Sequence, residues 1–219
     1  MQARQIKIVF SLLAIVAAVA VLAIRYFGPM PKVERRPHAA LGEALAAQTT
    51  KLLGSGGRVT LIAPDTSAFR YPGAEVQLKT FHQALRRAGH TVAATNLIKL
   101  DPLRVVRVPP GDFAEILRKQ SDADVVVSFM GPPVLSPAQK ARVGEKRPKV
   151  IALCSGDMPR QINLHALFAD HLLQAAVISR PRPGVPPASD TLSAWFDNYF
   201  QWVTPQNQTE LLATETAGR

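Results

Sequence analysis

The chain has 219 residues. Its length without an apolar N-terminal segment and a spacer, about 160 to 180 residues, suits one domain with a full core. It carries 26 Lys and Arg against 16 Asp and Glu, a formal charge of +10, which favours anionic neighbours. The basic residues are scattered and lack an aromatic-rich motif, which argues against nucleic acid as a partner. The single cysteine, Cys154, excludes an intramolecular disulfide and a c-type haem.

Residues 1–27 predict a single transmembrane helix. The 17 residues Ile8–Ile24 carry no charge, and Lys7 and Arg25 flank them where their side chains reach the two head-group layers. The alternative is a signal peptide cleaved near Val21–Ala23, although the apolar run is longer than a usual signal core. The sequence therefore predicts a single-pass protein of the inner (cytoplasmic) membrane, in contact with the lipid bilayer, whose C-terminal domain is periplasmic.

The rest of the chain predicts a linker, one domain and a tail. Residues 28–37 contain three prolines and four charged residues, typical of a short stiff linker, and 204–219 predict a polar tail. Between them, over 38–203, helical patterns alternate with short apolar or β-branched runs. Helices are predicted over His38–Leu53, Ala74–Ala88, Pro110–Gln120, Ile162–Ala169 and Asp190–Val203, and strands over Arg58–Ala63, Thr91–Ile98, Asp124–Met130, Lys149–Cys154 and Leu173–Ser179. Strands separated by helices imply βαβ units, so we expect an α/β, Rossmann-like three-layer domain with a mostly parallel sheet.

Three segments of this domain carry a family likeness through their order and the placement of their loops. They read GRVTLIAPDTSAFRYPGAEVQLKTFHQALRRAGHTV, ADVVVSFMGPP and PKVIALCSGDMP. Together they resemble one lobe of an ABC-type periplasmic substrate-binding protein over roughly Arg58–Ser179. Proteins of that family have two Rossmann-like lobes that close on a solute. The resemblance implies the same fold here, with room for one lobe only.

Three predicted loops follow strands, and in parallel sheets ligands bind where loops leave the carboxyl ends of the strands. Their polar side chains and nearby backbone amides predict a small polar pocket that receives an anion. The simpler interpretation is that these residues form turns and helix caps through local hydrogen bonds. The candidate ligand-binding residues are Asp65, Thr66, Ser67, Gly131, Ser155, Gly156 and Asp157.

No catalytic, metal or cofactor site is predicted. Cys154 precedes His165 by eleven residues, so a thiol nucleophile with a histidine base is conceivable, but a buried structural cysteine is the commoner case. His165 and His171 are six residues apart and do not share a helix face, so they predict no metal site. The glycine-rich run 54–57 precedes a strand, whereas phosphate-binding loops follow one, so no nucleotide is expected.

The predicted closing helix is rich in aromatic residues, with more of them than one core-facing stripe needs. Trp195, Tyr199 and Trp202 are therefore candidate partner-binding residues, the alternative being that they belong to the core.

The preferred functional hypothesis is a non-catalytic accessory subunit of a larger membrane protein complex. In it, the transmembrane helix and the extracytoplasmic domain contact integral membrane subunits. The alternative is a membrane-tethered solute-binding or sensing domain that takes a small-molecule ligand at the three loops. An enzyme, a hydrolase using Ser155 or Cys154, ranks third.

Overall fold

The computed structural model describes residues 13–22, 34–67, 71–100, 107–145, 147–156, 158–180 and 185–208. The chain divides into two compact units, Met1–Val33 and Glu34–Arg219. In the first unit the described residues form one helical segment, α1, over 13–22.

The predicted transmembrane helix over 1–27 is wrong. No helix within the described ranges is long and apolar enough to cross a membrane. The remaining residues of 1–27, and 28–33 of the predicted linker, lie outside the described residues. The fold class is corrected to the α/β domain alone.

The second unit alternates helices with strands, as predicted. Its helices are α2 (Arg35–Leu52), α3 (Pro72–Arg87), α4 (Pro110–Arg118), α5 (Pro137–Val143), α6 (Met158–Gln161), α7 (Leu164–Ala169) and α8 (Leu192–Tyr199). Its strands are β1 (Val59–Asp65), β2 (Val92–Lys99), β3 (Val125–Ser128), β4 (Lys149–Cys154), β5 (Ala175–Ser179) and β6 (Phe200–Val203).

The strands form one sheet in the order β2-β1-β3-β4-β5-β6. Strands β1 to β5 run parallel, and β6 alone among them runs antiparallel, paired with β5. The predicted mostly parallel sheet is therefore confirmed. Strand β2 lies on one side of β1, and β3, β4 and β5 follow in turn on the other side. The strand order therefore reverses between β1 and β3. In open α/β sheets, ligands bind at the carboxyl end of such a reversal.

Helices cover both faces of the sheet, which makes the three layers that were predicted. One face packs under α2, α3 and α8, and the other packs under α4, α5 and α7. Because side chains alternate along a strand, Val125 and Val127 point to the first group of helices and Val126 to the second. Burial on both faces explains why these strands read as continuous apolar runs.

Three helices begin with proline: Pro72, Pro110 and Pro137 occupy the first helical turn. A proline there removes an N–H that has no partner inside the helix anyway. The start of α5 is fixed further by a capping box, in which the Ser136 hydroxyl accepts from the Gln139 N–H and the Gln139 side chain accepts from the Ser136 N–H. The segment between β3 and β4 thus contains a helix of 7 residues.

Helices α2 and α3 approach each other very closely at Gly42. A Cβ atom on this residue would lie 2.4 Å from the Gln77 carbonyl oxygen and 3.0 Å from the Phe81 nitrogen. Both are backbone atoms, which no side-chain rotation can move away. Glycine is therefore required at this crossing because only hydrogen fits there.

The predicted closing helix extends too far: α8 ends at Tyr199, and 200–203 form β6. Phe200 is extended, with φ −135° and ψ 165°, and pairs with Ser179 of β5. The Arg180 side chain donates from Nε to the carbonyl oxygens of Asp197 and Phe200, at 2.7 and 3.2 Å. The Asp197 carbonyl is one that the helix leaves without an intrahelical partner, and the second bond ties Arg180 to the first residue of β6.

Candidate functional site

The three polar loops predicted from the sequence follow β1, β3 and β4, which are adjacent and parallel. Parallel strands place their carboxyl ends at one edge, so the loops share the edge where the strand order reverses. Two strand spacings separate the β1 loop from the β4 loop, a gap of about 10 Å. This shared edge is the candidate site.

The loop after β1 presents a charged acceptor. The Asp65 side chain accepts a hydrogen bond from the Ser67 N–H at 3.0 Å, an Asx turn that orients the carboxylate. Hydrogen bonds from the Ser67 side chain and backbone lower the pKa of Asp65, and the charge of Lys99 on the neighbouring strand lowers it further. Asp65 is therefore ionised at neutral pH, and with Thr66 and the exposed Ser67 it forms one polar rim.

The loop after β3 forms the floor between the rims. Residues 131–133 are buried, and a Cβ on Gly131 would lie 2.0 Å from the sulfur of Met158, whose side chain covers it. Gly131 has φ +72°, which favours glycine. The Ser128 hydroxyl is occupied, since it donates to the Gly131 carbonyl and accepts from the Met130 N–H. Gly131 thus lies at the predicted edge but beneath Met158, where its backbone is shielded from a ligand.

The loop after β4 forms the opposite rim. Ser155 and Gly156 are exposed, and the Ser155 carbonyl accepts from the Met158 N–H at 3.3 Å. Gly156 adopts φ +61° in this turn, and the Ser155 hydroxyl has no hydrogen-bond partner among the described residues. Asp157, the remaining candidate, lies outside the described residues.

Cys154 ends β4 inside the core, with none of its surface exposed. Burial raises the pKa of this thiol to about 12, so it is protonated at neutral pH. His165 is exposed on α7, so it does not share the buried surroundings of the thiol. A cysteine nucleophile is therefore disfavoured at this position.

We expect Cys154 to resist alkylation in the folded protein. With excess iodoacetamide at neutral pH, the native chain should show no mass increase over a time in which the urea-unfolded chain is fully modified, because a buried protonated thiol is a poor nucleophile. Intact-mass spectrometry of the two samples checks this. Rapid modification of the native chain would contradict the buried assignment.

The aromatic residues near the C-terminus pack mainly on one another. Trp195 is 6% exposed and stacks on Tyr199, with ring centroids 5.8 Å apart, while Tyr199 and Trp202 are half-buried. The Trp195 ring N–H donates to Asp190 at 3.0 Å, and Arg36 of α2 pairs with Asp190 at 2.7 Å and lies over the Trp195 ring. These contacts place Trp195 in the α2–α8 packing, so of the three candidate partner-binding residues only the half-buried Tyr199 and Trp202 present surface to a partner.

A second surface was missed from the sequence. A groove of about 270 Å³ lies beside the start of β2 and the end of α3 and is lined in part by Arg86 and His82. A feature of the sequence could have indicated this surface. Residues 76–100 contain four Lys or Arg and two His but no acidic residue. Within the described ranges, no three His, Cys, Asp or Glu side chains come together as a metal site.

Comparison with known proteins identifies the fold. No protein-family model matches the sequence, and no curated protein matches it. An arabinose-binding protein from Geobacillus stearothermophilus matches with a TM-score of 0.51 and 16% identity, over 79% of this chain and 62% of that one. A protein from Bacteroides fragilis with a provisional assignment as a LacI transcriptional regulator matches with a TM-score of 0.50 and 10% identity, over 79% of this chain and 61% of that one. A periplasmic ribose ABC transporter protein from Conexibacter woesei matches with a TM-score of 0.49 and 11% identity, over 80% and 60%.

The chain therefore spans about three fifths of the length of the structures it matches. At these identities the likeness shows the fold alone. The expected resemblance to a periplasmic substrate-binding protein is confirmed at that level. The predicted lipid and membrane-protein partners have no support among these matches. The domain has the α/β fold of a sugar-binding-protein lobe.

Proposed function

We propose that the domain is a non-catalytic binding lobe for a small hydroxylated solute, held at the carboxyl edge of β1, β3 and β4. The observation that carries the proposal is the ionised Asp65, oriented by its Asx turn at the point where the strand order reverses. A carboxylate accepts hydrogen bonds from hydroxyl groups of a ligand and orients them. The alternative hypothesis made from the sequence, solute binding, is thus preferred over the accessory subunit.

The side chains on the two rims indicate which class of solute would bind. Asp65 is negatively charged, and Thr66, Ser67 and Ser155 carry neutral hydroxyl groups. The expected anion is disfavoured, because the negative charge of the Asp65 carboxylate repels it. A neutral solute with several hydroxyl groups matches donors and acceptors on both rims. The arabinose-binding protein matched above supports the same class.

Among the described residues, the site has two rims and a floor but no cover. Solute pockets normally bury most of the ligand, so a solute held by these residues alone would bind with low affinity, roughly 0.1 to 1 mM. The proposal also places the domain outside the cytoplasm, because basic residues, Arg4 and Lys7, precede the apolar run 8–24, which is the order found in export signals, although this run is longer than a usual signal core.

We expect pentoses or hexoses at high millimolar concentration to raise the apparent melting temperature, because a ligand that binds only the folded state stabilises it by mass action. Differential scanning fluorimetry of the full chain with pentoses, hexoses, amino acids and phosphate measures this. Isothermal titration calorimetry with the sugar that raises the melting temperature then compares the affinity of each variant with that of the wild type. Asp65→Asn keeps an acceptor for the Ser67 N–H but removes the charge, and we expect about tenfold weaker binding.

Ser155→Ala should weaken sugar binding by a similar factor, since it deletes a hydroxyl on the opposite rim. The matched control is Asp122→Asn, which removes an exposed carboxylate from the other end of the sheet and should leave binding unchanged. A response to phosphate alone, or equal binding by Asp65→Asn and the wild type, would overturn the proposal.

A further inference from the structure

Strand β2 is the outermost strand of the sheet, and no strand of the described residues pairs with its outer edge. The N–H groups of Val125 and Phe129 donate to the carbonyls of Arg58 and Ile62, so the even-numbered residues of β1 face β3. Its odd-numbered residues therefore face β2, and the register of the β1–β2 pair turns the backbone groups of Thr95 and Leu97 outward. These N–H and C=O groups are available to another strand.

Side chains along this edge leave the backbone accessible. The first half of β2 reads Val92-Ala93-Ala94-Thr95-Asn96, in which the residues after Val92 are small or medium-sized. Ala93 is skipped in the register between Val92, which pairs with Val59, and Ala94, which pairs with Thr60. This bulge leaves Ala93 outside the ladder and next to the groove.

The groove beside the bulge is basic. Arg86 is exposed, and no ion pair of the described residues includes it. His82 is half-buried, and its pKa is lowered by burial and then by the positive charge of Arg86. No acidic residue occurs anywhere in 76–100, so the segment that builds this edge supplies no counter-charge. A ligand carboxylate would supply the missing charge.

We propose that β2 and the adjoining groove form a docking site for an extended peptide segment of a partner protein, which adds as a strand to β2 and places a carboxylate on Arg86. Main-chain hydrogen bonds to an exposed edge give affinity in such complexes, and a pocket beside the edge gives specificity. A second copy of this chain fits poorly, because pairing β2 with β2 would bring two basic segments together without an acidic residue between them.

The test begins with selection of random peptides displayed on phage against the full chain. We expect the selected peptides to share an acidic residue or a free C-terminal carboxylate. Fluorescence anisotropy with synthetic copies then measures affinity, and amidated copies distinguish a terminal carboxylate from an acidic side chain. Arg86→Glu should weaken binding about tenfold or more, whereas the control Arg142→Glu, an exposed residue on α5, should not.

Backbone pairing is tested on the peptide, so that folding of the protein is unaffected. Two N-methylated versions of a selected peptide, modified at alternate residues, should differ: one loses binding because its inward N–H groups are blocked, and the other keeps it. Thr95→Pro, which removes an outward N–H of β2, should also abolish binding while the circular dichroism spectrum is retained.

The proposal is overturned if no peptides are enriched, or if they lack acidic groups. It is also overturned if Arg86→Glu binds as well as the wild type, or if both N-methylated versions bind equally. A dimer of the purified chain that Thr95→Pro dissociates would show that a second copy occupies this edge instead. Sugar binding at the candidate site should be unaffected by Arg86→Glu, which separates this proposal from the previous one.

Discussion

Replacing Gly42 with alanine should destabilise the domain by about 3 kcal/mol or more, as overpacking between fixed backbones does. The added Cβ would lie 2.4 Å from the Gln77 carbonyl oxygen, so α2 and α3 must separate. That separation would open the packing around Phe81 and Leu85, which are fully buried in the same layer. Urea unfolding followed by tryptophan fluorescence measures the change in the free energy of unfolding.

Gly111→Ala is the matched control for this substitution. Gly111 also lies in a helix, α4, but a Cβ added there has no atom within 4 Å. Alanine has the higher helix propensity, so this variant should be as stable as the wild type or more stable, by up to about 1 kcal/mol. If Gly42→Ala were as stable as Gly111→Ala, the close α2–α3 crossing would be refuted.

Asp124→Ala should cost about 3 kcal/mol at neutral pH. Asp124 is buried just before β3, and its two side-chain oxygens accept from the N–H groups of Arg58 and Ser121, each at 2.7 Å. The same carboxylate lies 3.6 Å from the Arg58 guanidinium. Removing it leaves two N–H groups without their charged acceptor and loosens the junction between β1 and β3. Urea unfolding measures the loss.

The pH dependence of the stability loss in Asp124→Ala tests whether the charge of the Asp124 carboxylate causes it. Burial by itself would raise the pKa of Asp124, but the hydrogen bonds from Ser121 and Arg58 outweigh it, and the pKa is lowered from its usual 3.8. The stabilisation is therefore complete above pH 3.8 and is lost as the pH falls through the lower value of the folded state. The stability difference between wild type and Asp124→Ala should shrink over that range.

Asp122→Ala, an exposed neighbour, serves as the control and should keep the wild-type stability at both ends of the range. A difference between wild type and Asp124→Ala that stays constant with pH would show that packing, and not the ionised carboxylate, stabilises this junction.

The alternation of strands and helices could be predicted because β1, β3, β4 and β5 are apolar runs and several helices begin at a proline or a capping residue. The ends of the elements could not, since they depend on local side-chain bonds. The third strand was predicted to reach Met130, but it ends at Ser128, whose hydroxyl accepts from the Met130 N–H and donates to Gly131. The strand β6 was missed because the aromatic residues 199, 200 and 202 suit a helix or a strand equally in so short a run.

The candidate site was predictable in part. Parallel topology alone brings the loops after β1, β3 and β4 to one edge, and the sequence implied that topology. The cover of Met158 over Gly131 was not predictable, because it depends on how the chain returns after Ser155. The N-terminal prediction was wrong for another reason: the apolar run there meets the hydropathy rule for a membrane helix, but no helix of the described residues is long and apolar enough to cross a membrane.

The position of α2 has a consequence for synthesis of the protein. It is made before every strand, yet its apolar side rests on α3 and on the middle of the sheet, and its Arg36 pairs with Asp190 and covers Trp195. On the ribosome α3 follows α2 closely and can cover part of its apolar side, but the partner of Arg36, Asp190, is more than 150 residues away in the chain. The side of α2 that packs on α8 therefore stays uncovered until translation is almost over.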